Sequence, residues 1–94
     1  MKKYIEIREF CKGHDLEEGF VYELYELGMI QIKKVDELPV LRLRDLGRLE
    51  RLVRMHRDLE LNVQGLQAVQ HVLDQLEIAR NEIRALRSMM GRWE

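Results

Sequence analysis

"HDLEEGFVYELYELGMI", residues 14–30, is the stretch on which the rest of the chain turns. Asp15 is a good N-cap, and Glu18, three residues on, completes a capping-box pattern with an acid in place of Ser or Thr. A helix is predicted from about Leu16 to Leu27, with Gly28 supplying its C-terminal turn. At 100° per residue, Phe20, Val21, Leu24 and Leu27 share one side. Glu18, Tyr22, Tyr25 and Glu26 fall on the other, with Glu23 at its border. The helix therefore buries an apolar stripe and shows an acidic, aromatic face. No lysine or arginine lies between residues 13 and 32, while five acids do.

Outward from this helix, the other elements fall into place. Residues 4–13, YIEIREFCKG, open with a short alternation and then turn helical, with Ile7, Phe10 and Cys11 on one side. After Gly28, residues 29–43 (MIQIKKVDELPVLRL) alternate apolar and polar on both sides of a polar turn, which predicts a short β-hairpin, or wing. Residues 43–60 place Leu43, Leu46, Leu49, Val53 and Leu59 at helical spacing, with arginines along the other side. Asn62 is a plausible N-cap for a last helix from Val63 to about Trp93.

That last helix carries a period of seven. Val69, Leu76, Ile83 and Met90 occupy one seam position, and Val72, Ala79, Leu86 and Trp93 the other. At 1.5 Å per residue it would be ~45 Å long. The preceding sixty or so residues should form a body under ~30 Å across. The helix must overshoot its own domain, and its seam needs a partner helix, most simply a second copy. The expected organisation is mainly α: a winged domain over residues 1–61 and a coiled-coil dimerisation helix over residues 62–94, joined as a homodimer.

Ninety-four residues allow one domain with one extended element. A net charge of −1 excludes a general pull toward nucleic acid or anionic membrane, but the charge is segregated. Residues 42–57 hold six arginines against Asp45 and Glu50, so a basic surface (Arg44, Arg48, Arg51) is expected opposite in sign to the acidic helix. A solvated basic face is the plainer reading of those arginines. A phosphate- or acid-binding surface is the other. The single cysteine, Cys11, rules out an internal disulfide and suits a reducing compartment. The N-terminus lacks a signal-peptide core, and no apolar run approaches a membrane span, so a cytoplasmic protein is expected.

Residues that could carry chemistry are few. His14, His56 and His71 lie on different elements, and a metal site needs three or four ligands. Cys11 sits on the apolar side of the first helix, where a small buried thiol is the plain reading. No nucleophile elbow, glycine-rich phosphate loop, zinc-protease motif or cysteine pair is present. The expectation is a binding protein, not an enzyme, with no metal and no cofactor.

The order of elements resembles the MerR-type winged helix-turn-helix. Four motifs are more specifically similar to the chaperone-modulator (CbpM) family, a divergent branch of that architecture. They are Glu9-Phe10-Cys11, Glu26-Leu27-Gly28-Met29-Ile30, the junction from Arg54 through His56, Asp58, Leu59 and Asn62 to Gly65, and Glu82-Ile83-Arg84 with Leu86-Arg87. The resemblance implies a chaperone modulator that binds the J-domain of a DnaJ/CbpA-like co-chaperone and inhibits or tunes its work with Hsp70 (DnaK). The J-domain surface it would meet is a positively charged helix. The alternative it leaves is a MerR-like DNA-binding transcriptional regulator, using Lys33 and Lys34 of the wing and the arginine helix.

Charge separates the two. In a MerR-type DNA reader the second helix enters the major groove, and such readers usually carry an arginine mid-helix. This chain has Val21-Tyr22-Glu23 there. At ~10 Å in water each carboxylate–phosphate pair costs ~0.4 kcal/mol before screening. Glu18, Glu23 and Glu26 together oppose nucleic acid, whereas Tyr22 and Tyr25 add packing and cation–π contacts for a basic polypeptide helix. The candidate J-domain surface is therefore Glu18, Tyr22, Glu23, Tyr25 and Glu26.

Overall fold

A computed structural model describes residues 3–91. The chain runs β1 (Tyr4–Glu6), α1 (Ile7–Gly13), α2 (Glu18–Glu26), β2 (Lys33–Val35), β3 (Leu38–Arg42), a single 3₁₀ turn (Leu43–Asp45), α3 (Leu46–Asp58) and α4 (Val63–Gly91). The fold is a mainly α winged helix-turn-helix with a long C-terminal helix, as the pattern of residues predicts.

The wing is larger than a hairpin. β2 and β3 pair antiparallel through a two-residue turn, closed by Val35 opposite Leu38. Asp36 and Glu37 both take positive φ (51° and 68°), the geometry of a tight hairpin turn that Asn-Gly adopts more easily. β1 then pairs antiparallel with the far side of β3, giving the order β1-β3-β2. The short alternation at residues 4–6 is thus a strand whose partner lies some 36 residues away, too distant for local pattern to reveal.

The three short helices end in one way. After each, the chain turns through a left-handed residue: Asp15 (φ 53°) after α1, Gly28 (φ 75°) after α2 and Glu60 (φ 52°) after α3. The α2 ending is a full Schellman closure. Gly28 N–H donates to the Tyr25 carbonyl (3.0 Å) and Met29 N–H to that of Leu24 (2.9 Å), with Met29 and Leu24 both buried. At α1 the corresponding bond runs from Leu16 N–H to the Cys11 carbonyl (2.8 Å). Asp15 therefore ends α1 and does not cap α2. Helix α2 begins at Glu18, two residues later than the capping-box pattern suggests, with Glu17 at the N-cap position and no side-chain cap.

Asn62 does cap α4. Its Oδ1 accepts from Gly65 N–H (2.8 Å), and its carbonyl from Leu66 N–H (2.9 Å). A Cβ on residue 65 would stand 3.2 Å from Asn62 Oδ1 and from Leu61 Cδ2, so the glycine lets the cap close.

One core joins the four α-helices to β3. Ile7, Phe10 and Cys11 of α1 meet Val21 and Leu24 of α2, Leu41 of β3, Leu49, Leu52 and Val53 of α3, and Val63 and Leu66 of α4. Two expectations fail here. Leu43 and Leu59, read as part of the α3 stripe, are exposed. They flank the α-helix: Leu43 lies in the 3₁₀ turn and Leu59 is the C-terminal cap, so the 100° periodicity does not carry to them. Leu52, absent from that stripe, is fully buried.

Helix α4 leaves the core after its first turns. From residue 71 to residue 91 every side chain is exposed. Its 29 residues span about 44 Å. The radius of gyration is 17.5 Å, against about 12 Å for a compact domain of this length. No described helix is long and apolar enough to cross a membrane.

Replacing Glu60 by glycine should raise stability by about 1 kcal/mol, because a β-carbon in the left-handed region is strained. Asn62→Ala should lower it by about 1 kcal/mol through loss of the cap. Urea unfolding followed by circular dichroism measures both. A destabilised Glu60→Gly chain would contradict the left-handed helix ending.

Candidate interaction surface

The α3–α4 junction fixes how α2 is presented. The His56 ring packs on Phe20 of α2, with ring centroids 4.5 Å apart. His56 Nδ1 donates to the Leu61 carbonyl, which defines the protonated nitrogen, since a carbonyl only accepts. Arg57 reaches across to the α1–α2 turn, where its Nη2 donates to the carbonyls of His14 and Asp15, the latter at 3.0 Å. At the other end of α2, Gln67 Nε2 of α4 approaches the Leu27 carbonyl at 3.5 Å. The turn before α2 and the residue after it are both held from behind.

With its back so held, α2 turns its remaining side chains outward. Val21 and Leu24 are fully buried, and Phe20 and Leu27 are half-buried against the core. Glu18, Glu23 and Glu26 are exposed, Tyr22 is 37% exposed and Tyr25 48%. The five predicted surface residues thus come together on one element. Among the described residues none of the three glutamates is in an ion pair; the pair present is Arg42–Asp45 at 2.8 Å. Glu6 and Arg8 share a recess with Glu18 beside Leu38 and Pro39 of the wing. Beneath it, burial pushes the Cys11 thiol above its ordinary value, and the Glu18 carboxylate pushes the same way. Cys11 is a core side chain, not a nucleophile.

The second predicted surface is also exposed. Arg44 lies on the 3₁₀ turn and Arg48 and Arg51 on α3, all solvent-facing. On α4, Val72, Leu76, Ala79, Ile83, Leu86 and Met90 line the exposed seam, Val69 is half-buried near the domain, and Trp93 lies outside the described residues. The histidines are dispersed. His14 stacks on Phe10 at 4.2 Å, His56 serves the junction and His71 lies on α4. No three His, Cys, Asp or Glu residues gather as a metal site among the described residues.

The model of the MerR HTH family regulatory proteins matches residues 5–88, from β1 nearly to the end of α4. The chain belongs to that family. It is also similar to the chaperone modulatory protein CbpM of Pseudomonas entomophila (strain L48), with 27% identity over 90 residues, covering 95% of this chain and 89% of that protein. No solved structure matches. The chain is thus MerR-like, and its motifs and this likeness point the same way.

Those motifs now have structural work. Phe10 and Cys11 are core, Gly28 closes α2, and His56, Asn62 and Gly65 build the elbow into α4. These residues specify the scaffold, whereas Glu82–Arg87 lies on the exposed part of α4, and of the outward α2 residues Glu26 alone falls within a motif. Sequence reading missed the tie from Arg57 to the α1–α2 turn. A lone arginine in an arginine-rich helix carries no local signal that it is already engaged.

Gly19 lies exposed within α2, where a β-carbon would meet no atom within 4 Å and the backbone angles are ordinary. Gly19→Ala should therefore stabilise the fold by about 0.5–1 kcal/mol through helix propensity. Thermal unfolding checks this, and a lowered midpoint would contradict the open environment.

Proposed function

We propose that this protein is a chaperone modulator whose α2 face binds the J-domain of a DnaJ/CbpA-like co-chaperone and inhibits its action with Hsp70 (DnaK). The observation that carries the reading is the pairing of unpartnered carboxylates with half-exposed tyrosines on one rigid helix. Carboxylates suit lysine and arginine on a cationic helix, and tyrosine rings pack on the aliphatic stems of those side chains. The likeness to CbpM supports a co-chaperone as partner. Occluding the cationic surface of a J-domain leaves Hsp70 nothing to engage, which is inhibition by competition for one site.

The working unit in this reading is a homodimer. The α4 stripe of Val72, Leu76, Ile83, Leu86 and Met90 is 47–65% exposed in the single chain. Large apolar side chains gain about 1.5–3 kcal/mol each on burial, so a second copy along α4 is strongly favoured. The expected division is a winged domain over residues 1–61 and a dimerisation helix over residues 62–94. Val63 and Leu66 root that helix in the core. Sedimentation equilibrium should give a dimer, and Leu76→Glu with Ile83→Glu a monomer with the domain still folded. A wild-type monomer would remove the seam.

Calorimetry with a CbpA-type J-domain tests the main reading. Glu18→Lys with Glu26→Lys should weaken binding by about tenfold or more, with a strong salt dependence. Unchanged affinity would exclude α2 as the contact. The second reading, a MerR-like DNA-binding regulator, draws on the family and on the exposed Lys33 and Lys34 of the wing. A duplex titration at several salt concentrations separates the two: tight binding with a steep salt slope would favour the regulator.

A further inference from the structure

Three surface recesses share residues and join into one band away from the carboxylates of α2. The first, about 430 Å³, lies on the open side of the sheet among Lys3, Lys33, Arg42 and Arg44. A smaller one continues from Arg42 to Arg48, past the turn that ends α2. The third, about 450 Å³, is the cleft where α4 departs from α3, with Arg48 and Arg51 on one wall and Arg80 and Arg84 on the other. Arg42 is paired with Asp45; among the described residues, none of the other cations in the band has an ion-pair partner. Convergent like charges repel one another, and an anionic occupant relieves that repulsion.

The lining indicates what kind of anion. Apolar groups interrupt the cations: Tyr4 and Leu43 in the first recess, Leu73 and Leu76 in the third, where Leu76 marks the border with the α4 dimer stripe. Asp74 and Glu77 also line the α3–α4 cleft. A nucleic acid carries phosphate at every step and would set some of it against those two acids. A polypeptide can place carboxylates against the arginines and apolar side chains against Tyr4, Leu43 and Leu73. We propose that this band is a second docking surface, for an acidic polypeptide segment with interleaved apolar residues. Arginine is suited to it, because its planar fork takes a carboxylate through two hydrogen bonds. The molecule then offers partners two surfaces of opposite sign, and the second does not depend on what α2 binds.

Fluorescence anisotropy with the full chain tests this, using a short labelled peptide of glutamate with leucine at every third position. Its glutamine counterpart and a labelled DNA duplex serve as the other arms. Saturable binding of the acidic peptide is expected, at least about tenfold tighter than the glutamine peptide, and weakened about tenfold by Arg51→Glu with Arg84→Glu. Arg48→Ala with Arg51→Ala should weaken it in the same direction and guards against misfolding of the reversed variant. Glu18→Lys with Glu26→Lys should leave it undiminished, which separates this surface from the α2 face. Absence of saturable binding, equal binding of the glutamine peptide, or indifference to both sets of arginine variants would overturn the proposal. Tighter binding of the duplex, lost in the arginine variants, would overturn it in favour of a nucleic-acid surface.

Discussion

The elbow between α3 and α4 is the constraint on which the remainder depends. Within ten residues, from His56 to Gly65, the chain packs a ring on α2, ties the α1–α2 turn, passes through a left-handed residue and caps the next helix. Each contact is modest alone. Together they fix α2 against the core and set the direction in which α4 departs. Those two placements define an outward α2 face and a helix that projects beyond its domain, from which the functional reading is built.

Charge segregation gives the scaffold its character. A helix-turn-helix domain that reads DNA needs cations on its second helix and its flanks. Here the cations are displaced to the sheet, α3 and α4, while α2 holds carboxylates and tyrosines. Few of these charges neutralise one another within the chain, since Arg42–Asp45 is the ion pair among the described residues. Exposed pairs contribute little to stability, so their absence costs the fold little. It leaves two surfaces of opposite sign available to other molecules.

Much of this was legible in the residues themselves. The apolar stripe of α2, the closing turn at Gly28, the cap at Asn62 and the wing follow from local patterns, and the structure contains all four. Illegible features depend on distant contacts or on backbone angles. β1 shows only a brief alternation, too short to be read as a strand until β3 is beside it. Asp15 resembles an N-cap because aspartate serves well both there and in the left-handed region, and only the Leu16–Cys11 hydrogen bond separates the two roles. Glu60 carries no local signal at all. The α2 face was readable as a surface, because helical geometry separates inside from outside, but a face does not name its partner. The arginine band was half visible: α3 announced its cations, but only the path of α4 brings Arg80 and Arg84 beside them.

The central claim is that an α2 face turned anionic meets a cationic polypeptide. Its most direct test is amide chemical-shift mapping of the isotope-labelled protein during titration with a J-domain. The account predicts that the largest perturbations cluster at Glu18, Tyr22, Tyr25 and Glu26 and diminish toward the wing tip and α3. Perturbations confined to Lys33, Lys34 and the arginines of α3, with α2 silent, would contradict it.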